Sequence, residues 1–360
     1  MTTLGTADRL PIAEARALFR PVPGYLNAAS LGLPPRTVAD TLKAAVDEWS
    51  AGKASPTIYD QHVARSRELF AHLVKVPTTW VAVGSQVSVL AGTVAASLPD
   101  GAEVICVEGD FSSMVYPFMV HADRGVTVRH VPIEALAEAI RPQTTLVAFS
   151  LAQSACGSVV DADAVRQAAA AHGAVTFCDT TQAAGWMPVD ARDDDITVCS
   201  AYKWLCAPRG SAFLTVSPDL AERLSLRPIN AGWYAGDSVW DSCYGPDMHL
   251  AHDARRFDVS PAWLPWAGTV PALELFTALD MQAVRDWDSR LANALRVGLG
   301  LDPADRPVVS LPDPDGAKQV ALSAAGAVVA GRAGRVRIAF HLWNDESDVE
   351  LALNALTARH

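Results

Sequence analysis

Ala-Val-Thr-Phe-Cys-Asp (174–179) and Ile-Thr-Val-Cys-Ser (196–200) are short apolar runs that end on polar residues, and Ala-Tyr-Lys-Trp (201–204) follows the second directly. Runs of this length, rich in β-branched residues, read as buried strands. Working outward, Trp80–Gly84, Glu103–Glu108, Val126–Val131, Thr145–Ala152 and Ser211–Val216 repeat the pattern. Helical, mostly alanine-rich stretches separate several of them, among them Ser85–Leu98 and Ala162–His172. Strand and helix alternating at these lengths imply βαβ units, an α/β class and a mostly parallel sheet. Ligands of such sheets bind beyond the carboxyl ends of the strands. Gly84, Glu108, Ala152, Asp179 and Ser200 all fall at or near such ends.

The bulk properties narrow the partners. The net charge is −11 and only 19% of residues are charged. A nucleic acid or an anionic membrane calls for a basic surface, so neither is expected. No run approaches the roughly 20 apolar residues that span a bilayer. The first residues lack the basic-then-apolar pattern of a secretory leader. The six cysteines (106, 156, 178, 199, 206, 243) form no Cys-x-x-Cys pair. They read as reduced, mostly buried residues of a cytoplasmic protein, with no metal site.

Three units are expected: an N-terminal segment 1–24, a large domain 25–245 and a smaller α+β domain 246–360, with 25–55 able to pack against the smaller one. The Trp- and Pro-rich connection 219–270 is too long for a plain loop. An amphipathic helix is expected from Ala272 to Gly298. Strands are expected at Gln319–Ser323, Ala327–Ala330 and Arg335–Phe340, and a closing helix at Asp345–Leu356.

An acid at the end of one strand and a lysine just past a later one carry a specific chemistry. Asp179 can keep a pyridine nitrogen protonated while the Lys203 amine forms a Schiff base, which is what pyridoxal phosphate requires of a protein. The duller readings are a turn aspartate and a surface lysine. Trp204, Leu205 and Cys206 directly after the lysine argue against an exposed side chain.

Asp-Thr-Thr-Gln (179–182), Ser-Ala-Tyr-Lys (200–203) and Val-Arg-Ile-Ala-Phe-His-Leu-Trp-Asn-Asp (336–345) together resemble class V aminotransferases. These are fold-type I pyridoxal 5′-phosphate enzymes, a group that includes cysteine desulfurases, kynureninases, isopenicillin N epimerase-like enzymes and C–S lyases. The resemblance runs from about Tyr25 to the C-terminus. It implies a seven-stranded sheet between helices, a smaller C-terminal domain, and a homodimer with its sites at the interface.

The resemblance also assigns residues. Lys203 is the Schiff-base lysine and proton shuttle, Asp179 the ring-nitrogen partner, and Gln182 a donor to the phenolic oxygen. Ser85 and Gln86, at a helix start, suit a phosphate, with Ser200 as a second contact and Tyr202 where the family often has histidine. Phe111 is placed to stack on the ring, and Ser154 stands where desulfurases carry asparagine. Arg337 is the clamp for the substrate carboxylate, its planar fork matching a carboxylate bidentately. Asn27 lines the substrate pocket, and Arg256 matches a segment that reaches the neighbouring subunit's cofactor. Trp233 and Tyr234 shape the pocket or an interface.

No cysteine follows Cys243, so the persulfide carrier that desulfurases place before the clamp arginine is absent. The expected activity is that of an aminotransferase on an L-amino acid. A C–S β-lyase, an epimerase and a catalytically silent binding protein are the alternatives. His62, His121, His252 and His341 are further acid–base candidates, although a lone histidine is more often structural.

Overall fold

The computed structural model of the chain describes residues 9–20 and 22–358, so part of the expected segment 1–24 lies outside the described residues. Seven strands, β1 (Val81–Gly84), β2 (Glu103–Val107), β3 (Thr127–Val131), β4 (Thr144–Ser150), β5 (Val175–Asp179), β6 (Ile196–Ser200) and β7 (Ala212–Val216), form one sheet. Their order is β1-β7-β6-β5-β4-β2-β3. β3, β2, β4, β5 and β6 run parallel. β7 is antiparallel to both of its neighbours, because the turn from β6 is too short for a crossover helix.

That reversal places β1 in the common direction. Gly84 and Ser200 both register with Ala212, and Ser150 registers with Asp179. The strand ends therefore share one rim.

Both faces of the sheet are covered, which is why β1, β2, β6 and β7 are buried at every position. On one face, Phe70 of the helix Pro56–Leu73 stacks on Phe213 at 4.1 Å between centroids, and Trp266 of the helix Trp263–Ala278 meets the same ring edge-on at 5.5 Å. On the other, the helix Val87–Ala96 contributes Leu90 and Val94 to a core with Phe118 and Phe177.

A second sheet of β8 (Val308–Pro312), β9 (Ala330–Arg332) and β10 (Arg335–Ala339) is antiparallel, in the order β8-β10-β9. Its core takes Leu291 and Leu295 from the helix Met281–Gly298 and Val349 from the helix Glu346–Thr357. Tyr25 and Asn27 bridge to Val328 and Ala339 along this sheet. Among the described residues, no helix is long and apolar enough to cross a membrane, and no cluster of metal ligands occurs.

Three elements differ from the sequence reading. The strand expected at Ala327–Ala330 is shifted to β9, Ala330–Arg332, leaving Val328 with a single bridge to Tyr25. Gln319–Ser323 lies in a helix, Ala317–Ala324, rather than a strand. The run Ala-Lys-Gln-Val-Ala-Leu-Ser-Ala has good helix formers, and the Asp313 carboxylate accepts the backbone N–H groups of Lys318 and Gln319 at 2.9 and 3.0 Å, satisfying donors that a helix start leaves open. The expected helix Ala272–Gly298 is two helices with an extended Leu279 between them, and the Asp280 carboxylate starts the second by accepting from Gln282 N–H at 2.9 Å.

A buried ion pair joins the sheet to the connection 254–258. Arg67 donates to both Asp258 oxygens, at 3.1 and 2.6 Å, and Asp258 also accepts from Val83 N–H at 2.8 Å. Asp258→Ala leaves the Arg67 charge buried without its carboxylate, and the expected loss is about 3–5 kcal/mol in urea unfolding. A loss under about 1 kcal/mol would mean that water or another acid reaches Arg67.

Candidate active site

At the rim, Lys203 and Asp179 open onto one cavity, 5% and 4% exposed. The chain has five lysines, and Lys43, Lys53, Lys75 and Lys318 are all exposed, so Lys203 alone is buried. Burial lowers its amine to about 8, an effect that Asp179 opposes and Arg337 adds to. Burial likewise raises Asp179 to about 6, opposed by hydrogen bonding from Thr181, whose N–H lies 2.8 Å from Oδ1, and by Lys203. An acid and an amine are thus both drawn toward neutrality by burial in one recess.

The Lys203 turn is held tightly. Cys206, in the left-handed region at φ 55°, donates its N–H to Lys203 O at 3.1 Å. Gly32 N–H donates to Tyr202 O at 3.0 Å, and a Cβ at Gly32 would sit 1.9 Å from Lys203 O, so no side chain fits there. Gly185, at φ +110°, abuts Trp204 in the same way, its Cβ position 2.5 Å from Trp204 O. The Lys203 Nζ lies 5.0 Å from the Phe111 ring centroid and 5.6 Å from that of Tyr202. Asp110 fixes the Phe111 backbone, accepting from Phe111 N–H at 2.6 Å and from Ser150 N–H and Oγ–H at 2.8 and 2.6 Å.

The same cavity is lined by Gln86, Phe111, Ser154, Gln182, Ser200 and Tyr202. Ser85 does not line it, and the position capping the helix Val87–Ala96 is Gln86, which makes no side-chain cap bond. The first N–H groups of that helix thus lack a side-chain partner. Five further lining residues, Val87, Ser113, Ser150, Thr181 and Arg209, escaped the sequence reading. Arg209 is exposed, with its guanidinium 5.2 Å over the Tyr202 ring. Its signal was a lone cation between Pro208 and Gly210, six residues past the lysine.

Gln182 is fully engaged. Its Oε1 accepts from Trp204 Nε1–H at 2.7 Å, and its Nε2 donates to Ala29 O and Ser154 Oγ, both at 3.0 Å. The Ser154 hydroxyl also accepts from Arg337 Nη1 at 3.3 Å. Its own proton is therefore left to point elsewhere.

Arg337 is 1% exposed and lies behind Ser154 rather than on the cavity wall. Its Nη2 donates to Ser30 Oγ at 2.7 Å, its Nη1 also reaches Ser154 O, and its Nε has no partner. Burial, with Arg332 nearby, lowers it to about 10. The buried Oδ1 of Asn27 is likewise unpartnered. Arg256 lies apart from the Lys203 cavity of its own chain, in a cleft with Asp237, His249 and His252, and its buried Nε has no partner. None of the six cysteines lines the Lys203 cavity.

These residues fit pyridoxal 5′-phosphate. Lys203 could bind it covalently and Asp179 could meet its ring nitrogen. The free helix N–H groups, Ser200, Tyr202 and Arg209 could hold a phosphate.

Residues 27–303 match the sequence model of the family described as aminotransferase class-V. An uncharacterized aminotransferase of Bacillus subtilis is 26% identical over 314 residues, 82% of this chain and 83% of its own length. The isopenicillin N epimerase of Amycolatopsis lactamdurans is 26% identical over 328 residues, 81% of this chain and 79% of its own length. A solved cystine C–S lyase, in complex with cysteine persulfide, superimposes with a TM-score of 0.83 at 19% identity, over 93% of this chain and 97% of that one. With a family match over most of its length and a fold shared with solved enzymes of that group, the chain belongs to the class-V aminotransferases and is an enzyme dependent on pyridoxal 5′-phosphate.

Proposed function

We propose that the enzyme transfers the amino group of an L-amino acid, with Lys203 as the single proton carrier. The observation that carries this reading is the set of titratable groups around the cavity. Among the described residues these are Asp179, Tyr202, Lys203 and Arg209. Burial raises Tyr202, so its hydroxyl keeps its proton near neutral pH, while Lys203, lowered to about 8, can both take and return one. A proton removed and returned by one amine stays on one face of the substrate. Transamination needs that, whereas epimerisation needs a second carrier opposite. The absence of cysteine from the cavity wall speaks against a persulfide carried by the enzyme there.

The bound cofactor supplies the electron sink that makes an amino acid's α-proton removable. Asp179 would keep the ring nitrogen protonated, and Phe111 would pack on the cofactor. The free Ser154 proton, rather than the already saturated Gln182 amide, would be the donor to the phenolic oxygen. Gln86, the helix N–H groups, Ser200, Tyr202 and Arg209 would hold the phosphate. Arg337 takes the substrate carboxylate by exchanging its Ser30 contact for it, with Asn27 beside it. Arg256 acts across a homodimer interface, a reading supported by its distance from its own chain's cavity. Sedimentation of an active monomer would remove that last assignment.

Product analysis tests the reaction. With an L-amino acid and a keto-acid acceptor, formation of the matching new keto and amino acids is expected. Release of ammonia with pyruvate would replace transfer by β-elimination, and racemised substrate would replace it by epimerisation. Arg337→Ala is expected to raise KM about 10–100-fold, the worth of a charged bidentate contact, with Arg337→Lys failing to restore it. Unchanged KM in the alanine variant would move the clamp to Arg332 or Arg209.

A further inference from the structure

His341 and Asp288 lie outside the cavity and are both 0% exposed. Asp288 comes from the helix Met281–Gly298, and His341 follows β10. Their side chains meet at 2.7 Å, Nδ1 to Oδ2, and His341 Nε2 lies 2.8 Å from Trp204 O. Three rings box the imidazole: Trp204 and Trp343 edge-on at 5.2 and 5.1 Å, and Phe276 stacked at 5.8 Å. The ring therefore has little freedom to turn.

The partners fix the protons. A carbonyl oxygen only accepts, so Nε2 carries a hydrogen. The contact between Nδ1 and Oδ2 then holds one more, on the nitrogen or on the carboxyl, and in either form the pair has no net charge. Neutrality suits full burial, which pushes the Asp288 carboxyl up to about 6 against the opposing effect of His341. Beyond the carbonyl, the same Trp204 donates its indole N–H to Gln182 Oε1 at 2.7 Å, and Gln182 Nε2 reaches Ser154 at 3.0 Å. A continuous line of hydrogen bonds thus runs from the second sheet's helix to the cavity wall, passing through the residue next to Lys203.

We propose that Asp288 and His341 are positioning residues that hold the Trp204–Leu205 peptide, and through the Trp204 indole the Gln182 amide, in the orientation the reaction uses. This rests on the reading of Lys203 as the cofactor-binding lysine. The backbone contacts at Gly32 and Cys206 hold the turn on one side, and His341 holds it on the other. Without His341, Trp204 O keeps only the weak Cys206 thiol as a donor, at 3.6 Å, and the peptide is free to rotate toward another partner. The line orients Gln182 unambiguously as well, because the indole can only donate and so selects Oε1.

Three variants of the holoenzyme test this: Asp288→Asn, Asp288→Ala and His341→Phe. The amide in D288N can donate to Nδ1 and leaves the Nε2–H on Trp204 O, so kcat is expected within about threefold of the parent. D288A and H341F are expected to lower kcat about 10–100-fold at nearly constant KM, the effect of a displaced catalytic group. They should also speed release of the cofactor and shift the pH at which the absorbance of the Lys203-bound cofactor titrates. Trp204→Phe, which removes the indole donor and part of the buried ring but leaves the backbone carbonyl on His341, is expected to lower kcat with His341 in place. It keeps the proposal testable if H341F does not fold.

Loss of thermal stability in D288A and H341F with kcat, cofactor release and the titration unchanged would overturn the proposal, leaving the pair a structural contact. So would a D288N enzyme as impaired as D288A. Borohydride trapping of the cofactor on Lys203 in the parent protein separates the two levels. Its failure removes the reading of Lys203, whereas its success with unaffected variants removes only the role of His341 and Asp288.

Discussion

Lys203→Ala is expected to lower turnover by at least about 10³-fold and to abolish borohydride-stable attachment of the cofactor. Two functions leave with one amine. The first is nucleophilic, since only an uncharged amine attacks an aldehyde. Lysine ordinarily titrates at 10.5, and burial lowers Lys203 to about 8. At pH 7.5 the uncharged fraction is about 0.1% in the first case and about a quarter in the second. The second function is proton transfer, for which a group titrating near working pH is best suited.

Lys203→Arg distinguishes charge from nucleophilicity. It keeps a cation near Asp179 but cannot lose its proton, so it is expected to be as inactive as the alanine variant. The check is mass spectrometry of the reduced, digested protein, which should place the label on the peptide containing residue 203. Because the other four lysines are exposed, a label retained in Lys203→Ala, or turnover within about tenfold of the parent, would refute the assignment.

The reading of the sheet from sequence succeeded where burial on both faces leaves a continuous apolar run, as in Ile196–Ser200. It failed at Gln319–Ser323, where a short apolar run, Val-Ala-Leu, between polar residues reads as a strand but the deciding contact, the Asp313 carboxylate on two backbone N–H groups, is supplied by a residue outside the run. The acid and the lysine were legible because their positions relative to strand ends carry their geometry.

Arg209 was not legible, because its place over Tyr202 depends on the conformation of the turn after Cys206. Nor was the saturation of Gln182. Sequence names a donor but not what already occupies it, and here Ala29, Ser154 and Trp204 arrive from three separate segments. Ser85 shows the opposite error. A good capping residue stands one position too early, and the helix begins beyond it.

Asp179→Asn is expected to lower kcat about 10²–10³-fold while the cofactor remains trappable on Lys203. An amide has nearly the same shape as the carboxyl and can still accept from Thr181 N–H. It has no charge with which to keep a ring nitrogen protonated. The loss should therefore fall on kcat rather than on binding.

A second measurement guards against misreading the result. In the cofactor-free protein, burial raises Asp179 from 3.8 to about 6. A carboxyl whose folded value is raised favours the folded state fully below 3.8, and that advantage disappears as the pH rises through about 6. At neutral pH the carboxylate is thus a cost to folding, bounded by about 3 kcal/mol. Asn removes the ionisation and with it the cost. The cofactor-free Asp179→Asn protein is expected to be at least as stable as the parent at pH 7.5, with the difference vanishing below about pH 4. Activity lost without stability is the mark of a group placed for chemistry at the fold's expense. If stability fell together with kcat, the carboxyl would be a packing element, and the partner of the ring nitrogen would have to be sought elsewhere on the rim.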